Sequence, residues 1–236
     1  MPEALIFDVD GTLAETEELH RRAFNHSFAA AGLDWHWDRG IYRRLLAVTG
    51  GKERIAHFIA HDLRRSPRDH DIAALHRDKT DRYAALMEAG EIALRDGIGA
   101  LIEDARSHGL RLGIATTTSR PNIDALIRAT LRAASEDLFD AIAAGDEVQA
   151  KKPAPDVYLL ALHRLGMAAP GAVALEDSLN GLRAARAAGL RCIVSPATYT
   201  THEVFPGDVP CIESFSMIAS VADLRARLKN HAEAVP

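Results

Sequence analysis

The 236-residue chain has 28 Lys and Arg against 33 Asp and Glu, a formal charge of −5, and 47% hydrophobic residues, which excludes a disordered, collagenous or coiled-coil chain. Its cations are scattered among acids, so no electrostatic footprint for nucleic acid exists, although a local pocket can still hold a small anion. No apolar run approaches the ~18 residues of a membrane span, and Cys192 and Cys211 form no CxxC pair; a membrane anchor, disulfide scaffold or structural zinc is not expected, and the reducing cytoplasm fits best.

Ala4 to Phe7 is a short continuous apolar run stopped by Asp8, the pattern of a buried strand that ends at a polar site. From about Glu15 to Leu86 only helical patterning follows. Leu19, Ala23, Phe24 and Phe28 recur at helical spacing, then come Ile41 to Ala47, Ile55 to Leu63 and Ile72 to Met87, with breaks at Gly32, Gly50-Gly51 and Ser66-Pro67. After Gly97 strands alternate with helices. Strands are expected at Arg111 to Ala115, Phe139 to Ala143, Ala172 to Leu175 and Arg191 to Val194; helices at Ile98 to His108, Asn122 to Ala133, Asp156 to Leu165, Leu179 to Ala188 and Ser216 to Leu228. The alternation predicts an α/β fold, a doubly wound parallel sheet of Rossmann-like form with an inserted all-helical cap. The expected division is a core of residues 1–14 and 96–236 and a cap of residues 15–95.

Sites in such sheets lie at the carboxyl ends of the strands. There the sequence places Asp8-Val9-Asp10-Gly11-Thr12, then Thr116-Thr117-Thr118-Ser119, then Glu176-Asp177-Ser178, with Lys152 in a loop before a helix. These are the parts for phosphoryl transfer. Carboxylates from two strand ends offer hard oxygen ligands to Mg²⁺, one carboxylate can attack phosphorus, and a lysine and a hydroxyl can stabilise the non-bridging oxygens. Asp8 and Asp10 lie two apart on an extended segment, so both can face one phosphoryl group. Taken singly the features are ordinary: an aspartate pair can form a turn, Glu176-Asp177 can cap the helix at Leu179, and Lys151 or Lys152 can be a solvated loop charge.

Asp8-Val9-Asp10-Gly11-Thr12, Thr116, Lys152-Pro153 and Glu176-Asp177, in that order, resemble the four motifs of the haloacid-dehalogenase-like hydrolases. The helical insert resembles the small cap shared with beta-phosphoglucomutase. The resemblance implies that Asp8 is the nucleophile and Asp10 the general acid and base. It also implies that Asp8, Asp177 and the main-chain carbonyl of Asp10 hold Mg²⁺, with Glu176 acting through water, and that Thr116 and Lys152 bind the transferring phosphoryl. Dehalogenases of this fold lack the second aspartate, so Asp10 points to phosphate chemistry.

In the cap, Thr16 and His20 resemble a hinge hydroxyl and histidine of the beta-phosphoglucomutase-like proteins. Glu17 lies on an adjacent face, and Lys79 aligns with a cap lysine that reaches substrate phosphate. Thr49-Gly50-Gly51-Lys52-Glu53-Arg54 departs from the mutase pattern, whose loop is one residue longer and presents an arginine. Two glycines opening a helix beside Lys52 and Arg54 suit a second phosphate. Together with Thr116-Thr117-Thr118-Ser119-Arg120-Pro121-Asn122 and Tyr199 to Glu203, this segment is similar to the CbbY group of Calvin-cycle operons. That similarity implies a phosphatase converting xylulose 1,5-bisphosphate to xylulose 5-phosphate, with Glu17, His20, Gly50, Gly51, Lys52, Arg54, Lys79, Thr117, Thr118 and Arg120 as further substrate contacts. A sugar-phosphate mutase or a phosphoglycolate-type phosphatase is the alternative. Neither nucleic acid nor membrane is an expected partner, and a monomer is expected because no exposed apolar stripe stands out.

His57 and His61 lack the glutamate of a zinc-binding HExxH, and Gly50-Gly51-Lys52-Glu53 lacks the flanking residues of a Walker loop. Trp35 and Trp37 are expected to pack the cap interior.

Overall fold

Ala4–Phe7 (β1) is buried along its whole length, as a four-residue apolar run without polar alternation requires of a central parallel strand. The computed structural model describes residues 2–90 and 92–234. Arg111–Ala115 (β2), Ala141–Ala143 (β3), Ala172–Glu176 (β4) and Arg191–Val194 (β5) complete a five-stranded, all-parallel sheet in the order β3-β2-β1-β4-β5. Its two faces follow from the period of two along each strand: Leu5 and Phe7 join one apolar cluster, Ala4 and Ile6 the other. Ile98–Ser107 (α5), Arg120–Leu131 (α6) and Val221–Ala234 (α10) contribute to the first cluster; Asp156–Leu165 (α8) and Leu179–Ala187 (α9) contribute to the second.

Between β1 and α5 come four α-helices: Glu17–Ala30 (α1), Arg39–Leu45 (α2), Gly51–His57 (α3) and Ile72–Glu88 (α4). They enclose a third apolar cluster in which Phe24, Phe28, Trp37 and Tyr42 are fully buried, with Trp35 and Phe58 beside them. Trp35 and Trp37 therefore pack where expected, Trp37 at 4.7 Å from Phe24 and 4.9 Å from Phe28. Ser135–Leu138 (α7) is a single turn leading into β3.

The two crossings between these helices and the sheet run together. Ala14 bridges both Asp10 and Leu94, and the Arg95 N–H donates to the Leu13 carbonyl at 2.8 Å.

Several expected elements shift. The helix expected from Ser216 is a 3₁₀ turn over Phe215–Ile218, and the α-helix starts at Val221, because Ser214 and Ser220 each accept a backbone N–H two or three residues on. The strand expected from Phe139 starts at Ala141. The helix expected over Ile55 to Leu63 begins earlier, at Gly51, and passes at Phe58–Asp62 into a π turn. Among the described residues no helix is long and apolar enough to cross a membrane.

Candidate active site

The strand order places β1 between β2 and β4, so the residues after these three strands meet at one edge. Phe7 pairs with Ile114 on one side and Leu175 on the other, and the Asp8 N–H donates to the Leu175 carbonyl at 3.0 Å. Asp8 therefore leaves the sheet beside Thr116 and Glu176. The loop after β3 returns to the same edge and delivers Lys152, whose ammonium donates to Asp8 Oδ1 and to Glu176 Oε1, both at 2.6 Å.

Glu176 is caged. Its Oε1 also accepts the Tyr158 hydroxyl of α8 at 2.6 Å, its Oε2 accepts the Asp177 N–H at 3.2 Å, and a Cβ at Gly181 would overlap its carboxylate. Asp177 accepts from the Thr200 hydroxyl at 3.1 Å. One carboxylate oxygen from each of Asp8, Glu176 and Asp177 lies within 4.8 Å of the others, a buried set of hard donors suited to a divalent cation such as the Mg²⁺ this family generally uses. Burial first, then the charges of Glu176 and Asp10 working against Lys152, push Asp8 up to about 7. Burial, with Asp8 and Glu176 beside it, holds Asp177 well above the usual carboxylate range. A bound cation reverses this by favouring the ionised forms. Lys152 loses some basicity to burial, but the two carboxylates it touches outweigh that and keep it charged.

Asp10 faces the helical layer. Its Oδ1 accepts the Thr16 hydroxyl at 2.6 Å and contacts His20 Nε2 at 2.9 Å, while Lys79 Nζ reaches His20 Nδ1 at 2.6 Å. The His20 ring thus bridges the Asp10 carboxylate and the Lys79 amino group. Burial opposes ionisation of Asp10, yet the histidine and the two donated hydrogen bonds outweigh it and hold the carboxyl down at about 2. His20 is lowered by burial and by Lys79, and burial brings Lys79 itself down to about 7. The Tyr83 ring stacks on His20 at 3.9 Å, and the lysine lies 4.8 Å over that ring and 4.9 Å over Phe24.

A cavity of about 810 Å³ opens between the strand ends and the helices. Asp8, Asp10, Lys152 and Asp177 line its floor; Glu17, His20, Gly50, Gly51, Lys52, Arg54 and Lys79 line the opposite wall, with Thr117 and Thr118 at the side. Glu17 accepts the Tyr42 hydroxyl at 2.5 Å, and the same hydroxyl accepts from Arg54 at 3.2 Å. Thr116, at the end of β2, is buried and does not itself line the cavity; its hydroxyl accepts the Thr118 N–H at 3.2 Å.

One expectation changes, and two ordinary alternatives fall away. Arg120, expected at a phosphate, does not line the cavity: its guanidinium pairs with Asp124 and Glu136. The α9 cap is the Ser178 hydroxyl, which accepts the Gly181 N–H at 3.2 Å, so Glu176 and Asp177 are free of that duty. Lys151, alternatively a solvated charge, bridges to Glu53 of α3 at 2.8 Å.

Tyr158 and His76 also belong to the site and were not singled out in the sequence. Tyr158 carries no signal beyond an apolar helix face. His76 lies one turn before Lys79, a spacing that places both on one face of α4.

The haloacid dehalogenase-like hydrolase profile matches residues 2–189. Protein CbbY of Cereibacter sphaeroides is 59% identical over 224 residues, covering 95% of this chain and 97% of that one. Protein CbbY of Rhodobacter capsulatus is 55% identical, with 86% and 89% covered. A solved structure of a mutant CbbY from Rhodobacter sphaeroides in complex with xylulose-(1,5)bisphosphate is 58% identical, covers 95% of this chain and 99% of its own, and superposes with a TM-score of 0.91. At 18% identity and a TM-score of 0.81, beta-phosphoglucomutase from Clostridium difficile shares the fold. With its motifs gathered at one sheet edge, the chain belongs to the haloacid dehalogenase-like hydrolase family and is a phosphatase of that family.

Proposed function

We propose that the chain is a Mg²⁺-dependent phosphatase of a small sugar bisphosphate, releasing the 1-phosphate of xylulose 1,5-bisphosphate and leaving xylulose 5-phosphate. The observation that carries this reading is the CbbY structure holding xylulose-(1,5)bisphosphate, 58% identical and matched over 95% of this chain. The cavity supports it. At about 810 Å³ it accommodates a small phosphorylated sugar, and its poles differ, with carboxylates and Lys152 on the floor and Lys52, Arg54 and Lys79 on the wall.

In this reading residues 15–95 are a cap over a core of residues 1–14 and 96–236. Asp8, Asp177 and the Asp10 carbonyl would hold the cation, with Glu176 acting through water. When bound, the cation neutralises phosphate charge and keeps Asp8 ionised. Asp8 Oδ attacks phosphorus while Lys152 and the Thr116 to Thr118 segment balance the non-bridging oxygens. The bond to the sugar oxygen breaks, and Asp10 supplies its proton. Asp10, now ionised and held by Thr16 and His20, takes a proton from water. That water attacks the aspartyl phosphate, the bond to Asp8 breaks, and phosphate leaves with Asp8 restored. The contacts around Asp10 support its role as base in the second half-reaction, since the Thr16 hydroxyl and His20 favour its charged form.

The test is phosphate release with Mg²⁺ from xylulose 1,5-bisphosphate, ribulose 1,5-bisphosphate, phosphoglycolate and glucose phosphates, with Asp8→Asn as blank. Selective release from the xylulose bisphosphate is expected. Preference for a monophosphate would remove the second phosphate site, and isomerised sugar phosphate without free phosphate would make the chain a mutase.

A further inference from the structure

Arg95 belongs to no motif and does not line the cavity, yet its guanidinium makes more hydrogen bonds than any cation that does. Nη1 donates to the Gly11 carbonyl at 2.5 Å and to the Ser195 carbonyl at 2.7 Å; Nη2 donates to Ser195 Oγ at 2.9 Å and to the Pro196 carbonyl at 3.0 Å. The guanidinium carbon sits 5.0 Å over the Phe215 ring, and the side chain is 11% exposed. Among the described residues its carboxylate ion-pair partner is Glu15, 3.7 Å away and 40% exposed. A cation this buried, with neutral oxygens as its close acceptors, carries a desolvation cost that needs a return.

The return lies on the far side of Gly11. Gly11 has φ +87°, and a Cβ there would overlap the Asp177 carboxylate, so its backbone is pressed against one of the acids of the cation site. The peptide before it carries Asp10. The Gly11 carbonyl is thus gripped by Arg95 while its α-carbon abuts Asp177. Arg95 is itself anchored where the chain returns to the sheet, by its N–H on the Leu13 carbonyl. We propose that Arg95 is a positioning residue for the catalytic carboxylates, acting through the Gly11 backbone to set the distance between the Asp8–Asp10 loop and Asp177. Its planar fork matters: a lysine reaching the same place offers a point charge, unable to hold Gly11 and the Ser195–Pro196 segment in a fixed mutual geometry.

The proposal rests on phosphoryl transfer at Asp8, so its test includes a measurement that needs no turnover. Arg95→Ala and Arg95→Lys would be compared with the parent in p-nitrophenyl phosphate hydrolysis, in Mn²⁺ affinity followed by electron paramagnetic resonance, and in Tm. A displaced catalytic group costs on the order of 10²-fold. The expected result is that kcat of Arg95→Ala falls about 10- to 100-fold with KM within about twofold, Mn²⁺ binds more weakly, and added methylguanidinium restores part of both. Arg95→Lys, the variant read if Arg95→Ala does not fold, shifts kcat and Mn²⁺ affinity in the same direction by less. A folded variant with the parent's kcat and Mn²⁺ affinity overturns the proposal. So does a loss that tracks the unfolded fraction alone and ignores the guanidinium. If the parent hydrolyses no phosphate ester while the variants still lose Mn²⁺, the proposed function fails and the positioning role stands.

Discussion

The floor of the cavity and its wall are built to different standards. At the floor Asp8, Glu176 and Asp177 are buried and Asp10 is half-buried, and each is held by named partners: Asp8 by Lys152, Glu176 by Lys152 and Tyr158, Asp177 by Thr200, Asp10 by Thr16 and His20. Of the wall's cations only Lys79 is buried, with His20 as its described hydrogen-bond partner; Arg54 is half-buried and Lys52 is exposed. Strand ends tied into a parallel sheet fix chemistry to fractions of an ångström, which transition-state stabilisation demands. Helices that pack on their own aromatic cluster offer charges that can accommodate a substrate, which suffices for selecting one.

That contrast breaks most sharply at Asp8. Asp8→Asn removes the nucleophile, so turnover should fall by roughly four orders of magnitude or more while the circular dichroism spectrum stays that of the parent; a folded, active variant would end the aspartyl-phosphate mechanism. On the wall, Lys52→Met and Arg54→Met should each raise KM for the bisphosphate about tenfold, the loss of one charge-assisted hydrogen bond, while kcat/KM for a monophosphate moves little. Equal losses on both substrates would make the wall part of the chemistry.

His76 gives a pH signature. Burial first, then Lys79, Lys52 and Lys151, hold its imidazole down to about 3, against 6.5 ordinarily. The unfolded chain therefore takes up a proton below about pH 6.5 that the folded chain refuses until about pH 3, so acidification across this window costs the folded state. His76→Gln should remove that share, and its Tm relative to the parent should climb from pH 7 to pH 5; parallel Tm curves would show that the ring titrates normally. The smallest effect is expected at Glu53–Lys151, partly exposed and 2.8 Å apart: a double-mutant cycle should give about 0.2–1 kcal/mol.

The floor was more legible in sequence than the wall, for a physical reason. A strand end fixes the position of the residues next in the chain, so Asp8, Thr116 and Glu176 could be set side by side from three apolar runs and the rule for parallel sheets. A helical layer offers no such rule. Arg120 is expected at a phosphate from the likeness of the Thr116 to Asn122 segment to the CbbY group, but on α6 it lies one turn from Asp124 and pairs there. Tyr158 reads as core at every level of pattern, since its ring is fully buried and only its hydroxyl touches Glu176. Arg95 reaches back 84 residues to Gly11, a separation that no local pattern encodes.

Lys151 and Lys152 are consecutive residues that point to opposite parties, one to Glu53 on α3 and the other to Asp8 and Glu176. The lysine that holds Asp8 and Glu176 is therefore joined by a single peptide to the residue that bridges to the helical layer. Any swing of that layer that parts Glu53 from Lys151 loosens the loop carrying Lys152.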